Sequence, residues 1–309
     1  MRFGAPSTPT PGVTPPDPEG FIQCHNVSLG SPKTGLGVPF PGKPNAGADP
    51  NAITITEDCL FLDIYVPKSV LDAKPIAANV PTIVWIYGGA YVTGAKNGPG
   101  VNNPLYTGVG ALNAARRLNQ DVIFVAGNYR LGAFGWLAGS TVETNGLPNA
   151  GLADQRLLFQ WVQDHIFKVG GDKTKVSAWG ESAGAGSILH HLVTAKSAKV
   201  QPPVFRNAML QSPAYQLQWD RTGVLDQTYK KFASSVPGCP SGSIACLRAL
   251  PLDNVNLTTA NIDFISNWRT NTGQVPFGPA VDGTVIKRLP ANEFATSEYV
   301  LVTTIALTR

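Results

Sequence analysis

Gly180-Glu181-Ser182-Ala183-Gly184 places a serine between two glycines, each two positions away, where the apolar run Val176 to Trp179 gives way to small residues. A strand that runs into GxSxG and then into a helix has the form of a nucleophile elbow. The glycines leave room for a sharp turn with a strained backbone at Ser182, which lifts Oγ above the sheet at the N-terminus of the next helix. That helix end favours developing negative charge. In a chain with 32 glycines the five-letter pattern is weak by itself, and the strand-turn-helix setting is what gives it force.

A second stretch, Val84-Trp85-Ile86-Tyr87-Gly88-Gly89-Ala90-Tyr91, is an apolar strand opening into a small-residue loop. The amides of Gly89, Ala90 and Ala183 are candidates to converge on a carbonyl oxygen as it becomes an oxyanion, each such donor being worth about 3 kcal/mol of barrier. Alanine at position 90 keeps the donor. Without an elbow downstream the loop would read as a plain tight turn.

The elements that must hold these residues are short apolar runs of strand length: Leu60 to Val66, Val80 to Tyr87, Val122 to Ala126, Val176 to Trp179 and Ala208 to Leu210. Helical stretches lie between them, notably Gly108 to Arg117 and Leu152 to Phe167, the latter with Leu157, Leu158, Trp161, Val162 and Ile166 in helical register. Alternating strands and helices predict an α/β fold with a mostly parallel, doubly wound sheet. Met1 to Ala52, dense in Gly and Pro, reads as an irregular covering segment.

The 309 residues have the composition of an ordinary globular protein, and a net charge of +4 with no basic stripe argues against nucleic acid or a membrane surface as partner. No apolar run approaches the roughly 20 residues of a membrane span, and Met1 to Gly20 is Pro-rich where a signal peptide would be apolar. Four cysteines permit three pairings. Their placement favours Cys24 with Cys59 and Cys239 with Cys246, the alternative being four buried thiols. The sequons at Asn26 and Asn256 are candidate glycosylation sites and, with the disulfides, fit an exported protein.

In these segments the chain resembles the type-B carboxylesterase family, which includes the cholinesterases and fungal secreted lipases and esterases. The resemblance also rests on Arg2-Phe3, Glu57-Asp58-Cys59-Leu60-Phe61-Leu62, Asn128-Tyr129-Arg130-Leu131-Gly132-Ala133-Phe134-Gly135, Gly151-Leu152-Ala153-Asp154-Gln155-Arg156, Gly170-Gly171-Asp172 and Phe277-Gly278-Pro279-Ala280-Val281-Asp282-Gly283. It implies an α/β-hydrolase fold, the two disulfides above as the family's own, and Arg2 with Glu57 and Arg130 with Asp154 as structural ion pairs. It also implies hydrolysis of a small-molecule ester or lipid through a serine acyl-enzyme, with no cofactor and no metal.

In the α/β-hydrolase order the acid and then the histidine follow the serine. Only His190 and His191 follow Ser182, within the elbow's own helix and about 12 Å along its axis. They read as packing or surface residues, as do His25 and His165. Glu293 and Glu298 lack the Asp-Glu-Gly setting of the family's acid and are given no role. Residues 1–309 are therefore expected to form a single, incomplete α/β-hydrolase domain, lacking the N-terminal edge and C-terminal part of the fold, with little activity alone. The intact protein is expected to be extracellular. The alternatives are a non-catalytic cholinesterase-like binding or adhesion protein and an inactive fragment.

Overall fold

In the computed structural model the described residues are 2–6, 21–25, 53–73, 77, 79–98, 107–197, 204–268, 274–296 and 303–307. The strands are β1 (Phe21–Cys24), β2 (Ile53–Thr56), β3 (Leu62–Tyr65), β4 (Val80–Ile86), β5 (Ile123–Gly127), β6 (Gly171–Glu181), β7 (Asn207–Gln211) and β8 (Thr303–Leu307). The helices are α1 (Lys68–Asp72), α2 (Val109–Arg117), α3 (Gly132–Trp136), α4 (Ser140–Asn145), α5 (Ala150–His165), α6 (Ala183–Ser197), α7 (Val224–Ser234), α8 (Ile244–Ala249), α9 (Val255–Asn267) and α10 (Pro290–Ala295).

Six strands form one sheet in the order β3-β5-β4-β6-β7-β8, all parallel except β3, which pairs antiparallel with β5. This is the mostly parallel α/β sheet expected from the sequence. β4 and β5 are buried along most of their length, as strands covered on both faces must be. From β4 the chain moves outward to β5, then crosses back to place β6 on the other side of β4 and continues outward through β7. Loops leaving the carboxyl ends of β4 and β6 therefore diverge, and the crevice between them is where open α/β sheets bind ligands.

Contrary to what its Gly/Pro-rich composition suggests, the segment before Ile53 is not irregular throughout: it contains a strand, since β1 pairs in parallel with β2 over four residues. Four residues are too few to show a period, and the pairing is between segments about 30 residues apart, so no local signal announces it.

Polar ties anchor the chain's start. Arg2 forms an ion pair with Glu57 and donates to the carbonyls of Leu247 and Leu250 at 2.7 and 2.9 Å. Arg130, just after β5, grips Asp154 on α5 with Nε at 2.7 Å and a terminal nitrogen at 2.6 Å, and donates to the Gly4 carbonyl at 2.9 Å. Both partners of this second pair are buried. Asp154→Asn would leave a buried guanidinium without its counter-charge, and we expect a loss of about 3–5 kcal/mol of stability, measured by urea denaturation.

Candidate active site

β6 ends at Glu181, α6 begins at Ala183, and the single residue between them, Ser182, has φ +53°. A serine holds this left-handed conformation only when its surroundings over-determine it. Here they do: the Ser182 amide donates to the Gln211 carbonyl at 2.9 Å, while its own carbonyl accepts from Gly186 at 2.9 Å and Ala214 at 2.8 Å. Gly184 is required by close approach, because a Cβ there would lie 2.0 Å from the Ile86 carbonyl oxygen at the end of β4. The side chain of Ser182 is only partly buried.

The loop after β4 lies directly against this turn. A Cβ on Gly88 would fall 2.7 Å from a Glu181 carboxylate oxygen and 3.0 Å from Ser182 Cβ. Next come three successive residues with positive φ, Gly89 at +113°, Ala90 at +54° and Tyr91 at +64°. The Gly89 carbonyl turns inward to accept from Val92 and Thr93, both at 3.0 Å. Among the described residues no acceptor meets the amides of Gly89, Ala90 or Ala183. Free backbone amides beside a helix N-terminus can receive an anion.

Tyrosines hold the loop in place. Tyr87 and Tyr129 stack at 4.3 Å, each hydroxyl donating to the other's carbonyl at 3.1 and 2.8 Å. The Tyr91 carbonyl accepts from the Gly132 amide at 2.8 Å, its hydroxyl donates to the Ala214 carbonyl at 3.4 Å, and its ring meets Trp136 edge-on at 4.9 Å. Burial raises the pKa of all three tyrosines, so they stay neutral donors. Glu181 is partly desolvated beside the serine, which raises its carboxyl pKa.

A model of the carboxylesterase family matches residues 19–307, nearly the whole chain. The chain belongs to the carboxylesterase family. A "Secreted lipase" of Arthroderma benhamiae is 43% identical over 79% of this chain and 44% of its own length. Carboxylesterase patB of Penicillium expansum is 37% identical over 80% of this chain and 42% of its own. The crystal structure of Aspergillus niger EstA superposes with a TM-score of 0.72 at 26% identity, covering 98% of this chain and 52% of that one. The resemblance read from the motifs is thus borne out, as is the α/β-hydrolase fold, and the chain spans less than half the length of these curated relatives.

The other residues singled out in this carboxylesterase-family chain fall outside the turn. Cys24 is bonded to Cys59 and Cys239 to Cys246. Asn256 is exposed in the first turn of α9, whereas Asn26 and Glu298 lie outside the described residues. Glu293 is buried beside Arg288 at 3.2 Å. His25 bonds Asp253 at 2.9 Å and stacks on Phe134, and His165 meets Trp161 edge-on. His25, Asp253 and Glu57 come within 4.8 Å of one another. Asp253 already accepts from Thr56, from the Glu57 amide and from His25, and Glu57 is committed to Arg2, so this cluster reads as a structural clasp.

His190 and His191 are buried on α6. The His191 ring nitrogen Nε2 lies 2.9 Å from Gln155 Oε1, Gln155 donates to Ser187 Oγ at 3.1 Å, and Ser187 donates to the Ala183 carbonyl at 3.0 Å. Burial pushes His190 down to about 3, and burial with the charge of Arg156 pushes His191 well below its ordinary value. Both are neutral in the folded chain, while the unfolded chain takes up their protons as pH falls below about 6.5. Stability is therefore full above that pH and is lost on acidification, by about 1.4 kcal/mol per pH unit for each histidine, until the folded pKa is reached. For His190 that window runs down to about pH 3. Urea denaturation between pH 7 and 5, where carboxylates contribute little, should show this slope, and His190→Gln should roughly halve it.

Proposed function

We propose that this chain carries the nucleophile and oxyanion donors of a carboxylic ester hydrolase that works through a serine acyl-enzyme. The observation that carries the reading is the left-handed Ser182 at a strand-to-helix turn, packed against a loop whose amides at Gly89 and Ala90 have no other acceptor among the described residues. In this reading Ser182 Oγ attacks the ester carbonyl, the amides of Gly89, Ala90 and Ala183 receive the oxyanion, and a base takes the serine proton and returns it to the departing alcohol. Water then cleaves the acyl-enzyme. Among the described residues no histidine forms a hydrogen bond with Ser182 Oγ, and the partners observed for His25 and His191 lie elsewhere.

The substrates we infer are neutral acyl esters, such as short-chain esters, triglycerides or aryl esters, in line with relatives named as lipases and carboxylesterases. Two disulfides, and a relative named as a secreted lipase, support an extracellular location for the whole protein. No described helix is long and apolar enough to cross a membrane. A purely adhesive or binding role is less favoured, because a strained, partly exposed serine is costly to keep where no chemistry uses it.

With no histidine bonded to Ser182 Oγ among the described residues, we expect turnover by this chain to be lower than that of a complete triad by a factor on the order of 10⁶. We expect background hydrolysis of p-nitrophenyl butyrate that, once the rate with imidazole alone is subtracted, rises on addition of free imidazole in the wild type but not in Ser182→Ala. Equal imidazole response in both proteins would sink the assignment of Ser182. Turnover without imidazole that Ser182→Ala abolishes would mean that one of the four histidines serves as base.

A further inference from the structure

Outside this turn, one cavity combines features that the hydrolytic reading does not use. It has a volume of about 350 Å³ and is walled mainly by Leu147, Pro148, Leu152, Leu157 and Val285, with Arg156 among its lining residues. None of Ser182, Gly89, Ala90 or Ala183 contributes to it. Its volume falls at the lower end of the ~300–1,000 Å³ typical of small-molecule sites.

Each polar side chain of the wall has a partner, but only Arg156 is a charged group without a counter-charge among the described residues. The Asn149 amide donates to the Ala280 carbonyl and to Asp282 and accepts from the Ala280 amide. Gln160 donates to Asp164, and the Thr194 hydroxyl accepts from Arg156 at 3.0 Å. That is the one hydrogen bond Arg156 makes among the described residues, and it has no carboxylate in ion-pair range there, although a guanidinium carries five N–H donors. Burial without a counter-charge lowers its pKa, and the same charge helps to keep His191 neutral.

A partly desolvated cation beside an apolar wall is under-compensated. A small hydrated anion would have to shed water against leucine and proline, and a plain hydrocarbon would leave the guanidinium unpaired. A carboxylate with an alkyl tail answers both, its two oxygens matching the guanidinium fork while the tail covers the leucines. We propose that this cavity binds a medium-chain fatty acid, with the carboxylate on Arg156 and the alkyl chain along Leu147, Leu152, Leu157 and Val285. The site goes beyond the hydrolytic reading and is independent of Ser182. If that reading also holds, the ligand belongs to the class of acid that ester hydrolysis releases.

The test is isothermal titration of the full chain with dodecanoate, dodecanol and acetate, each below micelle-forming concentration. Dodecanoate should bind at one site, and dodecanol and acetate at least about tenfold more weakly, since each lacks one of the two features. Arg156→Gln should weaken dodecanoate at least about tenfold, and Arg156→Lys less, since it keeps the charge without the fork. Ala153→Trp, which fills the cavity and leaves Arg156 in place, should abolish binding, while Ser182→Ala should leave it unchanged. Circular dichroism would check folding, and if an Arg156 variant fails to fold, the ligand series on the wild type and the Ala153→Trp result decide. The proposal is overturned if dodecanoate does not bind, if dodecanol binds equally well, if Arg156→Gln folds and binds as the wild type does, if binding survives Ala153→Trp, or if Ser182→Ala abolishes it.

Discussion

The close approach of bare backbone at the carboxyl ends of β4 and β6 is the contact on which the rest of the site depends. Ile86 pairs with Gly180 in the sheet, and just beyond that pair the two chains come too near for side chains, Gly184 lying under the Ile86 carbonyl and Gly88 against Glu181 and Ser182. A methyl group at either glycine would push the loop away from the serine. Because β4 hands the chain to one side of the sheet and β6 to the other, nothing in the strand order fills the crevice that this contact borders.

That approach costs conformational energy, which packing must offset. Ala90, Tyr91 and Ser182 all sit at positive φ, each at a cost on the order of 1–3 kcal/mol. Ala214 links two of them, donating its amide to the Ser182 carbonyl and accepting the Tyr91 hydroxyl at its own carbonyl. The two strained turns thus share one support. Buried tyrosine hydroxyls suit this task because they pack as apolar rings yet satisfy backbone carbonyls that water cannot reach.

Local signals made the elbow and the loop legible. GxSxG and Gly-Gly-Ala each follow an apolar run, and the runs Val80 to Tyr87 and Val122 to Ala126 differ from β4 and β5 by a residue at their ends. β6 begins five residues earlier than its apolar run, because residues 172 to 175 are polar and largely solvent-facing, so hydrophobicity does not mark them as strand. Contacts far apart in sequence left no trace. The bonds from His191 to Gln155 and from Gln155 to Ser187 span 36 and 32 positions, and only the fold shows that they form one buried line to the Ala183 carbonyl. Arg156 illustrates the same limit, since its wall includes Leu147 and Val285 from separate parts of the chain.

The tripeptide Asn128-Tyr129-Arg130 shows what a motif remote from the reacting atoms does. Asn128 donates to the carbonyls of Ile22 and Cys59 at 2.9 and 3.0 Å and accepts from the Lys96 amide at 2.9 Å, joining β1, its disulfide and the chain that continues from the loop after β4. Tyr129 locks onto Tyr87 at the end of β4, and Arg130 fastens Asp154 on α5 and Gly4 near the chain's start. Three neighbouring residues thus tie Gly4, Ile22, Cys59, Tyr87, Lys96 and Asp154 to the end of β5, the strand beside β4. Directed bonds to the carbonyls of Gly4, Ile22 and Cys59 add to the burial of Phe3 and Cys24 in fastening these stretches of chain. Their demand for polar side chains at fixed positions is satisfied without any of the three meeting Ser182, which is why this stretch reads as scaffold although it is as distinctive in sequence as the elbow itself.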